Sequence, residues 1–251
     1  MKKTKSFLSD QCQEVILGTL LGDGSLQINR GYQNARLSFR HSDKQKDYFF
    51  WKAELLQEIC SNNCFWEQPA EREDKKSAKL RFQSTALPEL TEIHRLITKR
   101  GKRKVSRKWL NKLTPLSLAI WWMDDGSLVV NSRRGVLCTD SFSYEEHKVI
   151  ARYFQVVWKI RTQIGSHHDK KTGKTFYRLW IRSTKELKKF LTIILPHIEV
   201  EQMLPKVLLL YKDSELQQRW ISEVQRATYF SKETIEKHVQ EKKARWKNFR
   251  E

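Results

Sequence analysis

Two apolar runs in the sequence end in an aspartate followed by a glycine: LLGDG at residues 20–24 and WWMDDG at residues 121–126. We predict that each run ends a helix, because glycine commonly stops one. An aspartate at a helix C-terminus is electrostatically unfavourable, since that end already carries partial negative charge. If the two ends lie together, Asp23 and Asp125 repel each other, and divalent cations relieve that repulsion. Such metals can activate water and stabilise the leaving oxygen in phosphodiester hydrolysis. A turn aspartate before glycine is the alternative for one copy alone.

The elements around these aspartates recur in one order, which indicates a diverged tandem repeat. The first copy opens with a helix whose predicted N-cap is Asp10, and the second with Thr114 as N-cap and Pro115 at the first helical position. Each helix is followed by a hairpin, an amphipathic helix, a second hairpin and a third helix. The predicted fold class is therefore α+β, with two pseudo-symmetric αββαββα halves. The predicted division is a first repeat at 1–98, a basic linker at 99–113, a second repeat at 114–210 and a basic helical extension at 211–251.

Polar side chains alternate with apolar ones along the predicted strands, so that one face of each sheet packs and the other is polar. A solvated sheet face is the alternative, but such a face rarely favours Arg and Gln so strongly over Glu and Thr. Arg and Gln side chains reach guanine and adenine edges in the major groove. The residues predicted to contact nucleic acid are Gln27, Asn29, Arg36, Ser38, Arg40, Lys79, Arg81, Gln83, Asn131, Arg133, Arg134, Arg178 and Arg182.

The composition favours a folded protein with a polyanionic partner. The 251 residues carry a formal net charge of +19, and nucleic acid is the first candidate because neutralised phosphates release counterions. A ribosomal-type or membrane-surface protein could share this charge, but nine Trp and twelve Phe imply a larger core. No apolar run approaches the roughly 18 residues of a membrane span. With four cysteines and no secretory signal, we expect reduced thiols and an intracellular location.

Residues 16–24, ILGTLLGDG, and 118–126, LAIWWMDDG, resemble the two signature helices of the LAGLIDADG homing endonucleases. The arrangement resembles the monomeric, intron-encoded type, and the similarity covers roughly residues 10–210. The resemblance implies a saddle whose sheets lie in the DNA major groove, with the motif helices packed at its centre. It also implies that Asp23 and Asp125 bind the catalytic metals, Mg²⁺ or Mn²⁺.

The motifs depart from the family pattern at two positions that bear on the site. Asp124 stands where the motif has alanine, and we expect it to be a neighbour of the metal site rather than a ligand. The third letter is Gly18 in one copy and Ile120 in the other, so close approach of the helices must depend on Gly18.

The resemblance also implies a lysine near each metal. KRKVSRKWL resembles the stretch that carries the first, which gives Lys104, and EQMLPKVLL resembles the second, which gives Lys206. Lys102 is an alternative to Lys104, and a phosphate-binding linker is another interpretation of this basic stretch.

These features predict a site-specific endonuclease that hydrolyses one phosphodiester in each strand of a long double-stranded DNA target and promotes mobility of its intron. The alternative within the same fold is an intron RNA maturase, with or without DNA cleavage. A polymerase palm also carries an MDD sequence, but the helix start at Thr114 and Pro115 and the second acid at Asp23 argue against it. A bacterial cytoplasm, or synthesis inside a mitochondrion or chloroplast, is the expected location.

Overall fold

The computed structural model describes residues 8–69, 78–129, 133–170 and 172–245, and the chain forms two compact units, Met1–Asp124 and Asp125–Glu251. The division between the units falls inside the second motif helix. Among the described residues, no helix is both long enough and apolar enough to cross a membrane. The predicted repeat, linker and extension boundaries stay a prediction.

Residues 10–97 of the first unit have the predicted αββαββα order. The elements are α1 (Asp10–Leu21), β1 (Ser25–Gln27), β2 (Arg36–Ser42), α2 (Lys46–Glu54), β3 (Phe65–Gln68), β4 (Lys79–Gln83) and α3 (Pro88–Ile97). These four strands form one antiparallel sheet in the order β1-β2-β4-β3.

The predicted basic linker contains regular structure. A short hairpin, β5 (Thr98–Lys99) and β6 (Lys102–Arg103), is followed by the one-turn helix α4 (Arg107–Leu110). Gly101 in the hairpin turn has φ +74°, a conformation that glycine adopts at little cost.

The second motif helix and the second unit repeat the order of the first. The elements are α5 (Pro115–Asp125), β7 (Gly126–Val129), β8 (Arg134–Leu137), α6 (Tyr144–Tyr153), β9 (Gln163–Asp169), β10 (Lys174–Ile181) and α7 (Thr184–Ile194). The four strands form the second antiparallel sheet in the order β7-β8-β10-β9. The α+β class and the repeated αββαββα order are thus confirmed.

Local hydrogen bonds explain where the motif helices begin. Thr114 caps α5 as predicted, because its Oγ1 accepts the Ser117 N–H at 3.3 Å. The prediction of Asp10 as the cap of α1 is wrong: Ser9 is the N-cap, and its Oγ accepts the Cys12 N–H at 3.2 Å. Asp10 instead occupies the first turn, where its negative charge suits the helix N-terminus.

Helices α1 and α5 approach closely at Gly18, as the motif comparison predicted. A Cβ on Gly18 would overlap the Ser117 carbonyl oxygen and would lie 2.9 Å from the Ile120 Cβ. The Ser117 hydroxyl donates to the Glu14 carbonyl oxygen at 2.8 Å. The missing side chain of Gly18 therefore permits the contact, and the serine hydrogen bond fixes its register.

The expectation of four reduced cysteines is wrong for one pair. Cys60 and Cys64 form a disulfide, with their Cα atoms 5.5 Å apart. A one-turn helix at Gln57–Ile59 and the turn after it set this separation, which is within the usual range for a disulfide. Cys12 and Cys138 are free thiols.

The C-terminal extension is helical as predicted, with α8 (Ser214–Ala227) and α9 (Lys232–Arg245). In α9, Ile235 and Val239 are buried. The α9 side chain His238 contacts Glu201 through Nε2 and Oε1 at 2.9 Å. Since Glu201 begins the 3₁₀ helix Glu201–Lys206, the extension packs on the segment that ends in Lys206.

Candidate active site

Asp23 lies at the end of α1, beside a cleft over the first sheet. Gly22 is the C-cap of the helix, and its N–H donates to the carbonyl oxygens of Gly18 and Thr19 at 3.3 and 3.2 Å. The Asp23 side chain is 41% exposed, so its carboxylate is accessible to ions and ligands. The cleft has a volume of about 430 Å³. Predicted DNA-contacting residues line it together with Asp23 and Trp66, namely Gln27, Ser38, Arg40, Arg81 and Gln83.

The strand pattern explains why these polar residues share one face. Along β2 the buried positions Leu37 and Phe39 alternate with the partly exposed Ser38 and the exposed Arg40. Arg40 pairs across the ladder with Arg81 of β4. The two arginines therefore place two positive charges side by side in the cleft that contains an accessible carboxylate, an arrangement suited to a phosphodiester and a metal.

Other predicted contacts of the first unit flank this cleft. The Arg36 guanidinium lies 4.1 Å from the centroid of the Tyr32 ring. Asn29 and Gln27 line an adjoining cleft of about 530 Å³. Lys79 lies at the far end of β4 from Gln83, on the same partly exposed face as the cleft residues.

Asp125 and Lys206 of the second unit both influence the thiol of Cys138. The Cys138 N–H donates to the Asp125 carbonyl oxygen at 3.0 Å. Burial raises the pKa of the Cys138 thiol. The negative charge of Asp125 raises this pKa further, whereas the positive charges of Arg178 and Lys206 lower it. Both predicted catalytic residues of this unit thus lie within electrostatic range of one side chain.

Arg178 of the second sheet forms an ion pair with Asp140. Its Nε and Nη2 donate to the two carboxylate oxygens of Asp140, each at 2.8 Å. This bidentate hydrogen bonding lowers the pKa of Asp140 and raises that of Arg178. Part of the positive charge of Arg178 is therefore already compensated within the protein.

Three further predicted contacts of the second unit, Arg133, Arg134 and Arg182, are exposed. Arg134 begins β8 and Arg133 precedes it, and the Arg133 guanidinium is 5.8 Å from the Tyr211 ring centroid. Arg182 follows β10, with its guanidinium 5.5 Å from the Trp180 ring centroid. Asn131 lies outside the described residues.

The basic stretch near the first motif contacts α1 through an arginine. Arg103 Nη1 donates to the Leu20 carbonyl oxygen at 3.0 Å, one turn from Asp23. Lys104 is exposed, and its N–H donates to the Ile97 carbonyl oxygen at 2.7 Å. Because Lys102 and Arg103 are neighbours in a strand, their side chains point to opposite faces.

Asp124 is the centre of a buried polar network in the first unit. Its side chain and that of Lys52 are both 0% exposed. The Lys52 ammonium donates to both carboxylate oxygens, at 2.9 and 2.8 Å, and the Tyr48 hydroxyl donates to Oδ1 at 2.7 Å. Tyr48 and Lys52 are one turn apart on α2, so one helix face supplies both donors.

The network reaches Asp23 by two routes. The Asp23 N–H donates to Asp124 Oδ2 at 3.3 Å. The His41 ring lies between the two acids, with Nδ1 3.4 Å from Asp23 Oδ2 and Nε2 3.8 Å from Asp124 Oδ1. The backbone and the carboxylate of Asp23 are therefore both linked to a fully buried charged group.

Asp23, His41 and Asp124 each bring one potential ligand atom into a group whose atoms lie within 4.8 Å of one another. Asp23 fits Mg²⁺ or Mn²⁺ best, because its hard carboxylate oxygens face solvent. Asp124 fits less well, since its two oxygens already accept from Lys52, and a cation there would have to compete with that ammonium. The expectation that Asp124 is a neighbour of the metal site rather than a ligand stays a prediction.

The sequence contained a signal for His41, Lys52 and Tyr48 that the motif comparison did not use. His41 continues the buried alternation of β2 after Leu37 and Phe39, where an imidazole is unusual. Lys52 falls on the buried face of an amphipathic helix, and a lysine there is almost never fully buried without a partner. His41 and Lys52 could each have been recognised from the sequence as a polar residue at a buried position that needs a partner.

Residues 13–190 match the sequence profile of the LAGLIDADG DNA endonuclease family. The chain belongs to this family. A solved structure titled "The homing endonuclease I-WcaI bound to its DNA recognition sequence" has the same fold, with a TM-score of 0.69. It is 22% identical, and the match covers 84% of this chain and 91% of that one.

Among curated proteins, the chain is 32% identical over 204 residues to a protein named RecA from Mycolicibacterium flavescens. That match covers 76% of this chain but 45% of the relative, so the chain spans about half the length of this protein. DNA endonuclease I-ChuI of Chlamydomonas applanata is 29% identical, over 69% of this chain and 84% of its own length. Cytochrome b mRNA maturase bI2 of Debaryomyces hansenii is 26% identical, over 62% and 60%.

Proposed function

We propose that the protein is a site-specific DNA endonuclease that cuts one phosphodiester in each strand of a long duplex target and so promotes mobility of its intron. The observation that carries this proposal is the cleft of the first sheet. It combines an accessible carboxylate at the end of a family motif helix, Asp23, with the side-by-side arginines Arg40 and Arg81. A solvated sheet face would not need the acid, and an isolated turn aspartate would not need the arginines.

In this proposal Asp23 and Asp125 hold Mg²⁺ or Mn²⁺, with one acid from each repeat. The bound metal would supply Lewis-acid stabilisation of the charge that develops at the scissile phosphate. Lys206, in electrostatic range of the Cys138 thiol together with Asp125, would orient the attacking water or stabilise that charge. Lys104, or Lys102, has the corresponding role in the first repeat.

The polar sheet residues divide into two proposed roles. Exposed arginines at strand ends, such as Arg133, Arg134 and Arg182, are suited to phosphates, which set the position of the protein on the duplex. Gln27, Ser38 and Gln83 in the cleft can hydrogen-bond to base edges and so read sequence. We propose that the protein acts as a monomer, because a single chain supplies both acids.

Cleavage of a randomised plasmid library in Mg²⁺ and in EDTA, followed by sequencing of the cut ends, tests the proposal. The wild-type protein should linearise a small set of related sequences in Mg²⁺ alone. Asp23→Asn should lower the rate by several orders of magnitude, because metal and electrostatic activation supply most of the acceleration.

The matched control is Asp47→Asn, which changes an exposed aspartate of α2 and should cut like the wild type. Duplex binding in EDTA should survive Asp23→Asn, since the change removes negative charge near the phosphates. Cleavage by Asp23→Asn at the wild-type rate would contradict the role given to this carboxylate.

A second candidate function is assistance of intron splicing, favoured by the similarity to the mRNA maturase of Debaryomyces hansenii. The partner would then be the host intron RNA. A splicing reaction with purified precursor RNA distinguishes the two functions. A maturase would restore splicing with Asp23→Asn as well as with the wild-type chain, whereas the endonuclease activity would be lost.

A further inference from the structure

The two repeats differ in the residue that precedes the motif acid. Asp124 precedes Asp125, and the equivalent residue before Asp23 is Gly22. A Cβ on Gly22 would lie 2.5 Å from the Asp124 Cβ and 2.8 Å from its Oδ2. The missing side chain of Gly22 thus makes room for the Asp124 carboxylate in the first unit. Glycine cannot supply a carboxylate of its own, so the first motif offers no counterpart to the Asp124 network.

The strand register shows a second difference, at the position of His41. Ser25 pairs with Ser38 in the first sheet, and Ser127 pairs with Val136 in the second. Counting three residues on from Ser38 and from Val136 places Thr139 at the position equivalent to His41.

Thr139 is buried, and its Oγ1 is hydrogen-bonded to His147 Nε2 at 2.7 Å. The second unit therefore has a neutral hydroxyl just beyond β8, where β2 of the first unit has an imidazole that contacts the motif acid. The two repeats therefore differ both in the residue before the motif aspartate and in the residue equivalent to His41.

We propose that Lys52 and Tyr48, acting through Asp124, and His41, acting through its own contact, are positioning residues for Asp23 alone. The proposal rests on the proposed endonuclease function. Lys52 and Tyr48 fix the Asp124 carboxylate, which accepts the Asp23 N–H, and His41 contacts the Asp23 carboxylate. One of the two DNA strands is therefore cut with the help of this network, and the other is cut without it.

The test is a strand-resolved cleavage assay. A duplex that contains the target site carries a different fluorophore at the 5′ end of each strand, so that the two cleavage rates are measured in one reaction. Tyr48→Phe removes one donor to Asp124 and keeps the volume of the ring. Lys52→Met removes the ammonium, and the double variant Lys52→Met/Asp124→Asn replaces both charges with neutral groups.

With Lys52→Met we expect the rate on one strand to fall by about 10²-fold, the effect of misplacing a reacting group by about 1 Å. The other strand should be cut within about threefold of the wild-type rate, so that nicked duplex accumulates. Tyr48→Phe should produce a smaller loss on the same strand. Tyr153→Phe, which changes a buried tyrosine of α6, is the matched control and should cut both strands like the wild type.

The double variant separates positioning from folding. If the network only stabilises the unit, restored charge balance should restore both rates, and that result would overturn the proposal. If the network positions Asp23, the double variant should fold but still cut one strand slowly, so that nicked duplex accumulates. Equal slowing of both strands in any folded variant would overturn the proposal too, and Tyr48→Phe supplies this test even if Lys52→Met does not fold.

A readout without catalysis is the binding of Mn²⁺ to the free protein, followed by electron paramagnetic resonance. Lys52→Met should weaken one class of Mn²⁺ sites by about tenfold and leave another unchanged. If Lys52→Met no longer cuts one strand but binds Mn²⁺ as the wild type does, the network does not position Asp23 as a metal ligand. Failure of the wild-type protein to cut any duplex would instead refute the proposed function.

Discussion

At the scale of single residues, the contacts of Asp124 show what is required to keep a charge away from water. A carboxylate with 0% side-chain exposure needs a cation and hydrogen-bond donors, because an unpaired buried charge is very costly. Lys52 supplies the charge and Tyr48 adds a hydroxyl donor. This side chain is thereby fixed beside the more exposed Asp23, which needs freedom to bind a ligand but a defined backbone position.

This arrangement makes a quantitative prediction about stability. Lys52→Met should lower the free energy of unfolding by about 3–5 kcal/mol, because it leaves the buried Asp124 carboxylate without its cation. The double variant Lys52→Met/Asp124→Asn should recover most of that loss. Urea unfolding of the wild type, both single variants and the double variant gives the coupling energy as a double-mutant cycle. Additive effects of the two substitutions would show that the pair is not energetically coupled.

The residue scale is also where the sequence was least informative. The motif comparison located Asp23, and strand alternation predicted that Gln27, Arg40 and Arg81 share one face. It could not show that Asp124 and Lys52 are partners, because 72 residues separate them and only the tertiary fold brings them together. The periodicity of a short stretch predicts which face of a strand a residue occupies. It does not predict which distant side chain that residue contacts.

At the scale of elements, the close approach of α1 and α5 depends on a missing side chain. Gly18→Ala should destabilise the protein by about 1–3 kcal/mol, because the methyl group would overlap the Ser117 carbonyl oxygen. Ser117→Ala is the matched variant, since it removes only the hydrogen bond to Glu14 and should cost about 1 kcal/mol. Thermal unfolding compares the two. A Gly18→Ala protein as stable as the wild type would show that the helices can separate without cost.

A partly buried lysine, Lys242, connects the extension helix α9 to the segment that ends in Lys206. Lys242 Nζ donates to the carbonyl oxygens of Pro205 and Leu208. Burial lowers the pKa of Lys242 to about 7. From pH 7 to its ordinary value near 10.5, the unfolded chain binds a proton at this residue that the folded chain does not.

The free energy of unfolding should therefore rise with pH over this interval, because the cost of a buried ammonium, fully present below pH 7, is relieved as it deprotonates. Lys242→Met should flatten this rise. Lys237→Met, on the exposed face of the same helix, is the matched control and should keep it. Denaturant titrations at about pH 6.5, 8 and 9.5, which cover the lower part of this interval, provide the comparison. Identical pH profiles for the wild type and Lys242→Met would show that Lys242 is not the cause of the rise.

The elements themselves were largely predictable, because helix periodicity, Thr114 with Pro115 and the Asp-Gly motif ends are local signals. The linker was not: β5, β6 and α4 are only two to four residues long, too short for a period to emerge. The Ser9 cap was missed for a related reason, since serine and aspartate stand next to each other and either can cap a helix.

At the scale of the whole molecule, the net charge of +19 governs association with a polyanion. Each phosphate neutralised should lower log K by about 0.9 for every unit increase in log salt. We therefore expect duplex binding in EDTA to weaken steeply between about 50 and 200 mM salt, by about 10³-fold or more if six phosphates are contacted. The measurement is fluorescence anisotropy of a labelled duplex over this salt range.

Individual arginines should contribute unequally to the slope of log K against log salt. Arg182→Gln, at an exposed strand end, should reduce the slope by about one phosphate and weaken binding to all duplexes alike, as expected of a phosphate contact. Arg178→Gln should change the slope less, because Asp140 already compensates the guanidinium through two hydrogen bonds of 2.8 Å. A nearly flat salt dependence of the wild-type protein would show that phosphate contacts do not dominate binding. Equal slope changes in the two variants would show that the Asp140 pair opens when DNA binds, which would make Arg178 a DNA contact in spite of its acid partner.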